Sequence, residues 1–401
     1  MRSYARRIDI KEKAGILLFV AERRMKPKLV VVKVGTSSLS RQDGSLDLET
    51  MGSIVDQTAE AVDKGYRVVL VTSGAVASGM AELGVKPNPN DIVFKQACAA
   101  AGQSILMSHY RDLFRRHGLK VAQILLTKDD LSDRVSYLHT CNVLDRLLNL
   151  GVIPIINEND VTSIDELIPV MKGYRVNFSD NDILSVLIAN AIQADLVLIL
   201  SHVGGLYTAD PEKSEAELIP IVERVTPELK QLAEGKSRFG RGGMKTKLEA
   251  AEIATQSGIP LIVADSRREE VILDTLEGKS VGTYFKPSER MSGVKRWVAY
   301  GASVRGRIYV NEGAVKAIMK GGSLLPVGMT RVMGQFKIGD VVSLVDLGGG
   351  EFARGIANYS SDEIIQIKGL KTSQIRRTLG YIRQKEIVTR KLMFLTEGLG
   401  D

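Results

Sequence analysis

Leu29-Val30-Val31-Val32-Lys33-Val34-Gly35-Thr36-Ser37-Ser38 is the stretch of this 401-residue sequence that decides its fold. One lysine interrupts a run of aliphatic residues, and a glycine and three hydroxyl-bearing residues follow. A nearly continuous apolar run is typical of a strand in a parallel sheet that is covered on both faces. A lysine is uncommon in such a strand, and the backbone N–H groups of the turn can cradle an anion. The stretch therefore predicts a buried strand that ends in a phosphate-binding turn beside Lys33.

Similar short apolar runs alternate with helical patterns up to Phe285. We predict strands at Leu29–Val34, Arg67–Thr72, Lys120–Leu126, Val152–Ile156, Leu196–Ser201 and Pro260–Ala264. We predict helices at Leu48–Lys64, Ala97–His117, Ser132–Leu150, Asp182–Ile192 and Gly243–Ser257. This alternation predicts the α/β fold class, with a parallel-rich sheet sandwiched by helices.

The composition changes after this region, and glycine-rich turns then separate short alternating strands. We expect a small, mostly β module there. The predicted organisation is an N-terminal extension (1–28), the α/β domain (29–285), a linker (286–300), the module (301–390) and a tail (391–401). The extension fits neither domain, and an over-extended reading frame that truly starts at Met25 explains it at least as well as a functional arm.

The formal net charge of +7 is distributed unevenly along the chain. Residues 1–28 carry +6, residues 29–285 carry −8 and residues 286–401 carry +9. The longest N-terminal apolar run, Ala14–Ala21, is far shorter than the ~20 residues of a membrane span, so we expect no membrane partner. Two cysteines, Cys98 and Cys141, exclude a disulfide framework and favour a reducing, cytoplasmic location.

Polar residues follow two further predicted strands. Val71-Thr72-Ser73-Gly74-Ala75 resembles the turn after the first strand, and Asn157-Glu158-Asn159-Asp160 follows Val152–Ile156 directly. Ligands of open α/β sheets bind at the carboxyl ends of strands, so these residues predict one crevice that holds a small polar substrate. Each motif alone also fits an ordinary turn.

Two clusters open predicted helices. Asp180-Asn181-Asp182 supplies more carboxylates than helix capping needs, so the surplus could orient lysines or bind Mg²⁺. Gly240-Arg241-Gly242-Gly243-Met244-Lys245-Thr246-Lys247 combines glycines, a helix N-terminus and cations, which favours phosphate binding over a generic glycine-rich loop. The sequence has neither a Walker A loop nor a Gly-x-Gly-x-x-Gly motif after the first strand.

In this order the motifs resemble those of the glutamate 5-kinase family, within the amino acid kinase superfamily. The matching stretches are Val32–Thr36, Val71–Ala75, Asn157–Asp160, Asp180–Ser185, Gly205–Pro211 and Gly242–Lys247. The C-terminal module resembles a PUA domain, through Gly306–Ile308, Glu312–Ala314, Gly322–Gly328 and Asn358–Ser361.

The resemblance implies ATP-dependent phosphorylation of the γ-carboxylate of L-glutamate to γ-glutamyl phosphate, the first step of proline biosynthesis, with Mg²⁺ bridging the phosphates. It implies a catalytic set, Lys33, Lys247 and Asp182, and a glutamate site, Ser73, Asp160, Asn181 and Asn157. The implied ATP site comprises Lys33, Gly35, Ser201, His202, Arg241, Gly242, Gly243, Met244, Lys245, Thr246 and Lys247, and no protein metal ligand is assigned. A homo-oligomer (dimer or tetramer) and functional coupling to glutamate-5-semialdehyde dehydrogenase are also implied.

The sequence departs from the family pattern in three places. Ser201-His202 stands where the family usually has Thr-Asp, Arg241 replaces a small residue, and Val161–Ser179 is longer than expected. One alternative is a related kinase that acts on acetylglutamate, aspartate, carbamate or UMP, against which Asn157–Asp160 and the module argue. The other is an RNA-binding protein that acts through the basic module, although a solvated appendage or an oligomer interface explains that charge better.

Overall fold

The computed structural model describes residues 28–41, 45–86, 88, 91–163, 181–232, 243–289 and 291–396. The chain forms two compact units. The first takes its described residues from Met1–Lys128 and Cys141–Arg290, and the second takes them from Asp129–Thr140 and Met291–Asp401. None of the helices in these ranges is both long and apolar enough to span a bilayer.

The first unit is built on an eight-stranded sheet with helices. Its elements are β1 (Leu29–Val34), α1 (Thr36–Leu39), α2 (Leu48–Asp63), β2 (Arg67–Val71), α3 (Ala75–Leu83), α4 (Ile92–Arg116) and β3 (Lys120–Leu126). Helices α5 (Lys128–Ser132) and α6 (Arg134–Asn149) follow in the chain, and residues Asp129–Thr140 belong to the second unit. The remaining elements are β4 (Val152–Glu158), α7 (Asn181–Ile192), β5 (Leu196–Ser201), β6 (Ile221–Val222), α8 (Pro227–Leu232), α9 (Met244–Gln256), β7 (Leu261–Asp265), α10 (Val271–Leu276) and β8 (Gly282–Phe285).

The strand order in this sheet is β3-β4-β2-β1-β5-β7-β8-β6. All strand pairs are parallel except β7 with β8, so the predicted α/β fold class with a parallel-rich sheet is confirmed. All six predicted strands form. β6 and β8 were missed because runs of two and four residues carry too little periodicity to be recognised.

The strand of the stretch Leu29–Ser38 lies at the centre of this sheet. Strand β1 is buried along its whole length between β2 and β5, and Lys33 lies opposite Val71 of β2 and Ile199 of β5. Aliphatic residues of the strands and of α2 and α4 form the surrounding core. Because parallel neighbours end at the same edge, the turns after β1, β2, β4 and β5 lie together.

Helices α3 and α4 pack with almost no space between their backbones. A Cβ added to Gly79 would lie 1.7 Å from the Cys98 carbonyl oxygen, and one added to Gly102 would lie 1.9 Å from that of Ala75. Only glycine allows this approach. The contact fixes the face of α4 that carries Gln103, the residue after Gly102.

The second unit contains a five-stranded sheet. Helix α11 (Gly293–Arg296) continues into a π-helical turn, Trp297–Gly301, and then come β9 (Val304–Val310), α12 (Glu312–Met319), β10 (Met329–Met333), β11 (Val341–Val345), β12 (Glu351–Ala357), α13 (Ser361–Ile367), α14 (Ile375–Leu379) and β13 (Val388–Leu395). The strand order is β10-β9-β11-β12-β13, and only the pair β9 and β11 is parallel.

Two boundaries in this unit differ from the expected ones. Strand β13 pairs with β12 up to Leu395, five residues past the expected end of the module, because Phe394 and Leu392 pack against the cluster around Trp297. Trp297 itself, expected in a linker, is buried and donates a hydrogen bond from Nε1 to the Leu131 carbonyl oxygen at 3.1 Å. Local composition does not reveal such packing partners, since they are distant in sequence.

We predict that Gly102→Ala lowers the free energy of unfolding by about 1–3 kcal/mol or more, because the methyl group would force α3 and α4 apart. Urea denaturation measures the effect. The matched control is Gly52→Ala in α2, where an added Cβ meets nothing within 4 Å; it should stabilise the protein by about 0.5–1 kcal/mol. Equal effects of the two substitutions would contradict the packing argument.

Candidate active site

Two lysines share one buried carboxylate at the carboxyl edge of the first sheet. Lys33 Nζ lies 2.5 Å from Asp182 Oδ1, and Lys247 Nζ lies 3.1 Å from Asp182 Oδ2. The Asp182 side chain is fully buried, and both lysine side chains are nearly so. We call these three residues the ion triad; it brings two cations to one place.

Three elements position the ion triad. Lys33 comes from the end of β1, Asp182 from the first turn of α7 and Lys247 from the first turn of α9. Burial alone would raise the pKa of the Asp182 carboxyl, but the ammonium groups of Lys33 and Lys247 outweigh it and hold this pKa below its usual range. Asp182 is therefore ionised at neutral pH, and the triad carries a net charge of +1.

The start of α9 is bonded to the triad. Thr246 Oγ1 donates to Asp182 Oδ2 at 3.1 Å and lies 3.0 Å from the Gly243 carbonyl oxygen. Gly243 precedes the helix, and no side chain of the described residues caps the first N–H groups of α9. Uncapped N–H groups and the helix dipole favour an anion at this end.

A chain of amide side chains lies beside the triad; we call it the amide network. Asn181 Nδ2 donates to the Thr72 carbonyl oxygen at 2.8 Å, to Ser73 Oγ at 2.9 Å and to Asn157 Oδ1 at 3.1 Å. Asn157 Nδ2 in turn donates to Gln103 Oε1 at 2.9 Å. Two buried atoms of this network, Gln103 Nε2 and Asn181 Oδ1, have no hydrogen-bond partner among the described residues. One is a donor and the other is an acceptor, so the network can take a ligand that carries both.

Asp160 lies two residues beyond β4 at the same edge and is half-buried. The turn that carries it is fixed at both ends. Asn159 N donates to the Leu126 carbonyl oxygen at 2.9 Å, and Gln96 Nε2 of α4 donates to that of Ser163 at 2.8 Å. The turn therefore carries the Asp160 carboxylate at the edge of the sheet where the amide network also lies.

The turns after β1 and β5 are also joined. Gly35 N donates to the Leu200 carbonyl oxygen at 3.3 Å, and Ser37 Oγ lies 2.9 Å from His202 Nδ1. A Cβ added to Gly35 would lie 3.4 Å from Lys33 Nζ. Glycine at this position therefore leaves the space over the lysine open.

Comparison with known proteins assigns both units. The sequence profile of the amino acid kinase family matches residues 28–265, and that of the PUA domain matches residues 306–379. The chain is 46% identical over 367 residues to the glutamate 5-kinase of Dehalococcoides mccartyi (strain CBDB1), which covers 90% of this chain and 97% of the relative.

The glutamate 5-kinase of Moorella thermoacetica is also 46% identical, over 90% of this chain and 94% of its own. The chain belongs to the glutamate 5-kinase family of amino acid kinases. Among solved structures, UMP kinase from Bacillus anthracis aligns with a TM-score of 0.45 and 18% identity over 65% of this chain and 97% of its own. The two sequence profiles and the two glutamate 5-kinases confirm the family resemblance, the kinase class and the PUA domain predicted from the motifs.

The structure brings most of the predicted site residues of this family member to one edge. Lys33, Asp182 and Lys247 are in direct contact, as are Ser73, Asn157 and Asn181. The remaining predicted residues that lie at this edge are Gly35, Asp160, Ser201, His202, Gly243, Met244, Lys245 and Thr246, of which the Lys245 side chain is exposed. Arg241 and Gly242 fall outside the described residues.

Three residues at this edge were not predicted from the sequence. Gln103 belongs to the amide network, and its only sequence signal is an amide in a small-residue run of a helix. Arg267 follows β7 and donates from Nη2 to Asp265 Oδ2 at 2.8 Å and to the His202 carbonyl oxygen at 3.0 Å. Asp265 is the last residue of β7 and Arg267 lies two residues beyond it, and the sequence shows no recognisable motif at this strand end.

We predict that Asp182→Asn lowers the free energy of unfolding by about 3–5 kcal/mol, because it leaves two buried ammonium groups without a counter-charge. The folded-state pKa of Asp182 is depressed, so its contribution is present at neutral pH and is lost as the pH falls through that pKa. Urea denaturation at pH 7 measures the effect. Glu277→Gln, at an exposed ion pair, is the control and should change stability far less; an equally small effect of both would contradict the prediction.

Proposed function

We propose that this protein phosphorylates the γ-carboxylate of L-glutamate with ATP, giving γ-glutamyl phosphate in the first step of proline biosynthesis. The observation that carries the proposal is the ion triad, with two buried ammonium groups beside a polar network that has an open donor and an open acceptor. The family relationship over nine-tenths of the chain supports it.

The chemistry needs charge neutralisation more than proton transfer. A carboxylate is already a nucleophile, so no general base is required, and the difficulty is to bring two anions together. Lys33 and Lys247 reach Asp182 from different elements, and their ammonium groups neutralise charge on the transferring phosphoryl group. Asp182 holds both in place, so they need little reorganisation during transfer.

The amide network and Asp160 have the hydrogen-bonding groups that would bind the glutamate substrate. Gln103 Nε2 can donate to a carboxylate of glutamate, and Asn181 Oδ1 can accept from its α-ammonium group. The Asp160 carboxylate adds a charge-assisted partner for the same ammonium group. Ser73 and Asn157 hold these donors and acceptors in position.

The nucleotide suits the side of the site formed by α9 and the turns after β1 and β5. The uncapped first turn of α9 and the open space over Gly35 fit phosphate groups. We assign the Ser201-His202 turn to the ATP site. From the sequence motif, we also assign the segment Arg241–Lys247 to it. This assignment rests on the family motifs together with those local features.

The Mg²⁺ that accompanies ATP finds few protein ligands here. Each oxygen of Asp182 already faces an ammonium group, and no group of three His, Cys, Asp or Glu side chains within the described ranges could hold a metal ion. Mg²⁺ is commonly held by substrate phosphates and water with few protein ligands. We therefore assign Mg²⁺ to the phosphates of ATP.

The family relationship supports two proposals about partners. We propose a homo-oligomer, dimer or tetramer, to be measured by light scattering on the full-length protein. We also propose functional coupling to a glutamate-5-semialdehyde dehydrogenase, because an acyl phosphate product is reactive toward water.

An acceptor screen tests the proposed function. The full-length protein is incubated with ATP, Mg²⁺ and hydroxylamine plus glutamate, acetylglutamate or aspartate, and hydroxamate is measured; UMP and carbamate are followed by ADP release. We expect turnover with glutamate and none with acetylglutamate, since the amide network pairs with a free ammonium group that acetylglutamate lacks. Turnover of another acceptor without glutamate activity would overturn the proposal.

We predict that Lys33→Met and Lys247→Met each lower kcat by about 10²–10³-fold with smaller changes in both KM values, because their charge acts mainly on the transition state. Steady-state kinetics for both substrates measure this. Asp160→Asn should instead raise mainly the KM for glutamate. Equal, mild losses in all three variants would contradict these roles.

We predict that Gln103→Ala raises the KM for glutamate by about 10- to 100-fold, the usual effect of losing a hydrogen bond to a charged group, with little change in the KM for ATP. The control is Ser104→Ala, on the exposed side of the same helix, which should leave both values unchanged. A Gln103→Ala variant with an unaltered glutamate KM would remove Gln103 from the glutamate site.

A further inference from the structure

The His202 side chain links two turns that the proposed function assigns to phosphate binding. Its Nδ1 lies 2.9 Å from Ser37 Oγ in the turn after β1, while its own backbone follows β5. The two turns are neighbours because β1 and β5 pair in parallel and end at the same edge. One side chain therefore connects them directly.

Ser37 and the ion triad face the same space. A Cβ added to Gly35 would lie 3.4 Å from Lys33 Nζ and 4.0 Å from Ser37 Oγ, so both atoms border the volume above that glycine. Phosphate oxygens that approach Lys33 there come within reach of the Ser37 hydroxyl. The partner of that hydroxyl then decides whether it can donate to a phosphate.

Charged groups surround His202 on two further elements. Lys247 of α9 and Arg267 after β7 are cationic, and Asp265 at the end of β7 is anionic. Arg267 is held by Asp265 through Nε and Nη2 and donates to the His202 carbonyl oxygen. Burial, followed by the charges of Lys247 and Arg267, lowers the pKa of His202, and Asp265 opposes them only in part.

Bound nucleotide would reverse this balance of charge. Its phosphate chain places several negative charges against the same lysines, and anions near an imidazole favour the protonated form. A protonated imidazole donates from both nitrogens, so Nδ1–H donates to Ser37 Oγ and the Ser37 hydroxyl hydrogen becomes available to a phosphate oxygen. The proton comes from solvent.

We propose that His202 is a proton-linked positioning residue of the nucleotide site: it is neutral in the free protein, takes up a proton when nucleotide phosphates bind and thereby orients Ser37 toward them. The proposal rests on the proposed function, because it requires ATP at this edge of the sheet. It gives a specific chemical role to the histidine that stands in place of the usual family residue.

Calorimetry on the full-length protein tests the proposal. The protein is titrated with adenylyl imidodiphosphate and Mg²⁺ at pH 6.5 in two buffers of different ionisation enthalpy, and the dependence of the heat on buffer gives the protons taken up. The nucleotide itself also exchanges protons when it binds. Subtracting the proton uptake measured with His202→Asn removes this contribution. We expect the wild type to take up an additional fraction of a proton that His202→Asn lacks and that His139→Asn, at an exposed histidine, retains.

Kinetics separate positioning from a purely structural role. The side-chain amide that His202→Asn introduces can still donate to Ser37 but cannot titrate, so at pH 6.5 this variant should keep most of the wild-type kcat/KM for ATP. His202→Ala should lose about three- to tenfold, the usual effect of one hydrogen bond. Below pH 7 the His202→Asn variant should also lose the pH dependence of ATP affinity that His202 supplies.

Three outcomes overturn the inference in distinguishable ways. Equal proton uptake by the wild type and His202→Asn refutes the proton link but leaves the proposed function intact. Equal loss in His202→Asn and His202→Ala at pH 6.5 refutes the orienting role. Failure of the wild type to bind the nucleotide refutes the proposed function together with this inference.

A measurement on the wild-type protein keeps the proposal testable if a His202 variant does not fold. The chain has four histidines, so variants of His109, His117 and His139 assign the imidazole signal of His202 in NMR spectra by elimination. We expect its titration midpoint to rise when adenylyl imidodiphosphate is added. An unchanged midpoint would overturn the proposal.

Discussion

A buried carboxylate between two lysines is the interaction on which the rest of this site depends. Removing three charged groups from water is costly, and their attraction offsets that cost only with close geometry. Asp182 meets the condition because each of its oxygens faces a different ammonium group. The triad also locks β1, α7 and α9 together, so the two lysines stay beside each other before any substrate binds.

The net charge of the triad explains why the surrounding residues are arranged as they are. A buried charge of +1 attracts an anion, and the uncapped start of α9 lies beside it. The amide network provides a second, neutral set of donors and acceptors. Two glycines of the α3–α4 contact position Gln103 in that network, so a packing constraint in the core determines a polar group of the site.

Much of the fold was predictable because its signals are local. An apolar run such as Leu29–Val34 specifies a buried strand wherever it occurs, and alternation with helical patterns specifies a parallel-rich sheet. The short strands Ile221–Val222 and Gly282–Phe285 gave no such signal, and their pairing depends on neighbours distant in the chain. Leu392 and Phe394 likewise belong to a strand because they pack near Trp297, which no local pattern reveals.

The sequence by itself determined the element types, the positions of the motifs at the carboxyl ends of strands and the family to which the chain belongs. Each of these depends on residues that are contiguous in the chain. Only the tertiary structure decided that Asp182 bridges Lys33 and Lys247, that Gln103 joins Asn157, and that His202 meets Ser37. Asp182 and Lys247 are 65 residues apart in the chain, and Gln103 and Asn157 are 54 apart. Contacts over such separations arise from sheet order and helix packing, so composition and spacing alone do not specify them.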